Sequence, residues 1–140
     1  MKKLVFLVSL TAVVIPLFFG MTSCDSQSSV DSSRRPSGVA VKSAIKKLSP
    51  DEKKLYNTTV ESWNKAFDHL ISQSAYSYGG KESKIQVLRN IKNECIKGRV
   101  TGKNDPNNKN YSKEFLILMV HFNYEVEDQV DAAIKKLEGK

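Results

Sequence analysis

At 140 residues the chain has the length of one domain with room for a short leader. Lysine and arginine outnumber aspartate and glutamate by 22 to 15, for a net charge of +7. Two cysteines cannot build a disulfide framework, and the basic excess lacks the interleaved aromatic residues of a nucleic-acid stacking platform.

Met1-Lys2-Lys3 is a short positive start. Leu4 to Phe19 is then apolar apart from Ser9, Thr11 and Pro16, and Gly20, Met21, Thr22 and Ser23 lead into Cys24. A charged start, an apolar stretch and small residues before a cut site make a secretory signal. A transmembrane anchor is the competing reading. It wants about 20 apolar residues, whereas Leu4 to Phe19 supplies 16 with a proline among them. The stretch Met21-Thr22-Ser23-Cys24 resembles the lipobox of bacterial lipoproteins, with Met21 where leucine is commoner. The resemblance covers the first 24 residues. It implies cleavage before Cys24, a diacylglyceryl group on the Cys24 sulfur, and a further acyl chain (such as palmitate) on the new amino group. Two or more acyl chains hold a protein stably on a bilayer, at roughly 0.8 kcal/mol per buried methylene. Asp25 resembles the signal that keeps lipoproteins in the inner membrane of enteric-type bacteria. In lineages without that sorting rule, the outer membrane or the cell surface is equally open.

Without residues 1–23 the chain keeps 117 residues and a charge of +5, because Lys2 and Lys3 leave with the signal. Residues 24–38 then read as the lipid-bearing cysteine and a flexible tether. Six serines fall between Asp25 and Gly38, and Val30 is the one sizeable apolar residue among them. Ordering such a segment costs backbone entropy with little burial in return. A coil of 14 residues reaches on the order of 20 Å. Arg34, Arg35, Lys42, Lys46 and Lys47 follow, read either as attraction to anionic lipid beside the tether or as a solvated charged face.

Residues 39–140 form the expected helical domain. Val39 to Leu48 is a short helix with Val41, Ala44, Ile45 and Leu48 on one face. In Ser49-Pro50-Asp51-Glu52 the serine can cap, the proline suits the first helical position, and Glu52 stands where a capping box needs it. The helix that follows carries Leu55, Thr59, Val60, Trp63, Phe67, Leu70, Ile71 and Ser74 at three-and-four spacing, and Gly79-Gly80 stops it after Ala75-Tyr76-Ser77-Tyr78. Lys81 to Lys97 repeats the pattern with Ile85, Leu88, Ile91, Cys95 and Ile96 inward, and Gly98 ends it. Gly98 to Tyr111 is a polar loop with an Asp105-Pro106 turn. Ser112 caps a last helix over Lys113 to Glu138, about 39 Å long. Its core line is Phe115, Met119, Phe122, Val126, Val130, Ala133 and Leu137, widened by Leu116, Leu118, Val120 and Ile134. The aromatic and aliphatic stretch from Phe115 to Tyr124 also suits a buried strand. Helix is preferred because the spacing runs on through Val130 and no second strand exists to pair with it. The expected fold is all-α: a small three-helix bundle with a short leading helix, after a cleaved signal and a disordered tether.

Reactive constellations are scarce. His69 and His121 are the two histidines, on different helices from each other and from Cys95, which is no ligand set for a metal. With lipid on Cys24, no second cysteine remains for an intramolecular disulfide, and Cys95 on an apolar face reads as a buried, inert thiol. Asp105-Pro106-Asn107-Asn108-Lys109 puts a cation where a calcium loop needs its third ligand. Gly98 to Gly102 lacks the Gly-Lys-Ser/Thr ending of a phosphate loop. Glu125, Glu127, Asp128 and Asp131 read as a solvated acidic face, and no Gly-x-Ser-x-Gly elbow is present. Tyr76 and Tyr78 flank the Gly-Gly turn, where loop-tip aromatics suit contact with a partner and packing across the helix end is the plainer alternative. The expectation is a membrane-held, non-catalytic interaction module: no cofactor, no metal, no nucleic acid, a bilayer reached through lipid on Cys24, and a protein partner. A lipid or small-ligand carrier, with a cavity between the helices under Trp63 and Phe122, is the alternative. The run from Glu82-Ser83-Lys84-Ile85 to Ile91-Lys92-Asn93-Glu94-Cys95 is similar to the helical part of borrelial multicopy surface lipoproteins, over that segment alone.

Overall fold

The computed structural model describes residues 32–101 and 110–139. The signal, Cys24, most of the tether and residues 102–109 of the polar loop lie outside them. Every regular element among the described residues is helical: α1 (Gly38–Lys47), α2 (Pro50–Ser72), a 3₁₀ turn (Ala75–Tyr78), α3 (Lys81–Thr101) and α4 (Lys113–Glu138). The stretch from Phe115 to Tyr124 is helix throughout.

Serine starts three of the helices. The hydroxyls of Ser37, Ser49 and Ser112 accept hydrogen bonds from the amides of Ala40, Glu52 and Phe115 at 3.1, 3.2 and 3.1 Å. Each satisfies one of the donors that a helix start leaves without a partner. The capping box expected at Ser49 is only half formed. The Glu52 amide bonds Ser49, but the Glu52 carboxylate turns to the other end of the chain. It accepts from the Ser112 hydroxyl at 2.7 Å and from the Ser112 amide at 2.9 Å. One carboxylate thus serves the positive ends of both α2 and α4. This is possible because α2 and α4 run in the same direction. Glu52 meets Ser112, and eleven residues on, Trp63 Nε1 donates to Gln129 Oε1 at 2.6 Å. α3 runs against α4, since Arg89 meets Glu138, Lys92 meets Asp131 and Asn123 meets the Cys95 carbonyl.

The helix ends and the end of the tether differ from the sequence expectation. α3 does not stop at Gly98 but continues to Thr101. A glycine in a helix costs about 1 kcal/mol against alanine without ending it, and Gly98 does not take the left-handed conformation that a glycine stop uses. Gly79 and Gly80, with φ of 88° and 123°, close the 3₁₀ turn, while α2 itself ends earlier than expected, at Ser72, with Gln73 extended. The second difference is the end of the tether, where the chain is already seated on α4. Ser32 is buried, and its carbonyl accepts from the Tyr124 hydroxyl at 3.3 Å. Polar contacts order this segment, so composition alone gave no sign of it.

The core is organised around α4. Phe115, Leu116, Leu118, Met119, Val120 and Phe122 are all buried, and so is Asn123. Trp63 and Leu70 of α2 and Ile85, Leu88, Ile91 and Cys95 of α3 pack with most of these residues in one cluster. Leu118 points the other way and is covered by Val41 and Ala44 of α1. Ile45, Ile71 and Ile96, expected inward, stand 42, 37 and 39% exposed. Each lies at the edge of its helix's apolar stripe, where neighbours cover it only in part.

The double bond of Glu52 to Ser112 gives a direct test. Glu52→Gln keeps the size and removes the charge, and is expected to lower stability by about 1–2 kcal/mol in urea unfolding. Ser112→Ala should lose a similar amount. The double variant should lose less than the two separate losses together, because both act on one contact.

Candidate functional site

Cys24 lies outside the described residues. The two tyrosines at the Gly-Gly turn do not act as a pair. Tyr76 is 91% exposed at the tip of the 3₁₀ turn. Tyr78 is half-buried against the core, and burial raises its hydroxyl above the usual tyrosine range. Its ring lies 5.7 Å from the Lys84 ammonium, a cation–π distance.

Lys84 explains why this corner is built. The residue is 4% exposed, and its Nζ donates to the carbonyls of Ile71 and Gln73 at 3.1 and 2.6 Å. Those carbonyls belong to the C-terminal end of α2, where a cation meets the negative pole of the helix. Burial draws its pKa below the ordinary lysine value. Lys84 therefore closes α2 from α3 and supports Tyr78, while Tyr76 stays in solvent. Its position offered one sign in the sequence: Lys84 stands four residues before Leu88, on the inward line of α3.

A second constellation lies on α4. Glu125 and Asp128, one turn apart, hold Arg35 between them, with Nη1 2.6 Å from Asp128 Oδ2 and Nη2 bonded to Glu125 Oε1. The guanidinium fork suits two carboxylates at this spacing, and both bonds hold the proton on Arg35 more tightly. The same Glu125 oxygen lies 3.7 Å from His121 Nε2, and His121 Nδ1 is buried without a hydrogen-bond partner. One turn further on, Asp131 accepts from Lys92 at 2.7 Å. The acidic row read as a solvated face is thus partly engaged by cations of this chain. His69 is exposed on α2, Cys95 is buried in the core, and the structure brings neither to His121. Among the described residues no group of three histidine, cysteine or acidic side chains is placed to hold a metal ion, and no helix is long and apolar enough to cross a membrane.

Lys84→Met should lower stability by about 2 kcal/mol in urea unfolding, since hydrogen bonds from a charged group are the strong ones. Tyr76→Ala should stay within about 0.5 kcal/mol of the parent, as surface substitutions do. The Asp131 bond raises the pKa of Lys92. A lysine raised on folding contributes stability that is complete below its ordinary value and is lost as pH climbs through the folded one. Above about pH 10.4 the parent should therefore lose stability that a Lys92→Met variant, lacking the pair, does not lose. Urea midpoints measured against pH check this.

Compared with known proteins, the chain matches no family model, no curated protein and no solved structure.

Proposed function

We propose that this chain is a bacterial envelope lipoprotein, held at the membrane by acyl chains on Cys24, whose helical domain acts as a non-catalytic interaction module. Met21-Thr22-Ser23-Cys24, directly after an apolar stretch with a charged start, is the observation that carries the reading. The domain is a three-helix bundle of α2, α3 and α4 with α1 as a short leading helix. It works outside the cytoplasm, at the cell membrane or the outer membrane, and reaches a protein partner through its exposed surface. Tyr76, a bare aromatic at a loop tip, is the first contact residue to test. The carrier alternative needs a cavity under Trp63 and Phe122. Trp63 instead stacks on Phe67 and bonds Gln129, and both residues belong to the packed core, so the interaction module is preferred.

Cells expressing the chain, fed an alkyne analogue of palmitate, test the anchor. The parent should take up label and sediment with membranes, and globomycin should leave an unprocessed precursor. Cys24→Ser should lose the label and the processing. Unchanged labelling and membrane partition in Cys24→Ser would overturn the proposal.

A further inference from the structure

We infer that the outward face of α1 is a docking surface for an anionic lipid bilayer, on which the folded domain rests beside its anchor. The inference takes its setting from the anchor reading above and its chemistry from the described residues. α1 gives one side to the fold, where Val41 and Ala44 are buried against Leu118. The opposite side carries Val39, Lys42, Ser43 and Lys46, spaced so that all four share a face. Val39 is 81% exposed, an apolar side chain left in water among lysines, and Lys47 extends the basic edge.

Charge sets α1 apart from the other α-helices, each of which carries acidic residues. α1 contains no acidic residue. On α4, Glu125 and Asp128 are met by Arg35, Asp131 by Lys92 and Glu138 by Arg89. Among the described residues Lys42, Lys46 and Lys47 form no ion pair. The basic stretch from Arg34 to Lys47 is therefore two different things: Arg35 is spent inside the fold, while the α1 lysines keep their charge outward.

The covalent chain brings that face to a bilayer. Cys24 and Ser32 are eight residue steps apart, a span of at most about 29 Å when fully extended and on the order of 15 Å for a coil. Ser32 and Arg35 are seated on α4, and α1 begins at Gly38. A helix with cations beside an exposed valine suits the boundary between headgroups and acyl chains. Each lysine at an anionic surface strengthens attraction about fivefold, so three contribute on the order of a hundredfold. A tether that holds the local concentration in the millimolar range makes so small a patch sufficient.

The full chain, as its host processes it, carries the test. A Val39→Cys variant bears an environment-sensitive fluorophore, with Cys95 shielded by burial, and is reconstituted into phosphatidylcholine vesicles containing one-third phosphatidylglycerol. The emission should shift to the blue and be quenched by a lipid-borne quencher. Both effects should vanish in pure phosphatidylcholine, in about 1 M salt, where the screening length is near 3 Å, and when Lys42, Lys46 and Lys47 are all changed to Gln. The same label at exposed Asn64 on α2 should stay in water throughout, and circular dichroism should show unaltered helix in each variant. An aqueous label at position 39 on anionic vesicles, or a response that survives the three substitutions, overturns the inference. The mass of the Cys24 peptide is read on the same sample. An unmodified Cys24 there overturns the anchor reading, and the label at position 39 in a Cys24→Ser background, with vesicles added to the chain, still decides the α1 face.

Discussion

The first three turns of α4 are apolar on almost every side, and that constraint organises the rest of the molecule. A helix with a single apolar stripe needs one neighbour, whereas one apolar all round has to be enclosed. α2 and α3 supply most of the enclosure through Trp63, Leu70, Ile85, Leu88 and Ile91. Leu118 faces away from them and would meet water but for α1, whose Val41 and Ala44 close the remaining side. Fully burying a side chain of this kind contributes about 1.5–3 kcal/mol. The short leading helix is therefore part of the core, and the tether residues just before it are drawn onto α4 with it.

Charge is distributed by the same geometry. Beyond Phe122 the outer side of α4 turns acidic, and the chain supplies its own cations there: Arg35 from the N-terminal side and Lys92 from α3. Such surface pairs are worth about 0–1 kcal/mol each. Their weight lies in where they hold the chain: Arg35 fixes the exit of the tether against the middle of α4.

The helices were legible in the sequence because their signals are local. Apolar residues at three-and-four spacing, serines at the caps, Pro50 at a first position and paired glycines at Gly79-Gly80 each act within one or two turns. What escaped was long-range and polar. Arg35 reaches across ninety residues to Glu125, Glu52 reaches beyond its own helix to Ser112, and Lys84 serves the end of a neighbouring helix. In each case a charged side chain met a need created only when distant segments came together. The same limit explains Tyr78, whose loop-tip position reads like that of Tyr76 until Lys84 is seen beneath its ring. Cys24, which bears most of the functional reading, depends on a short linear pattern and owes nothing to the fold.

The Glu52–Ser112 contact also makes the closing of α2 onto α4 a long-range step, at a cost in loop-closure entropy. Its two halves lie sixty residues apart, so α2 cannot complete this bond until the segment around Ser112 has come back to meet it. Without α4 the Glu52 carboxylate has no Ser112 to meet, and α2 and α3 alone leave one apolar side uncovered. A chain cut before Ser112 would lack both this contact and the helix around which the core is organised.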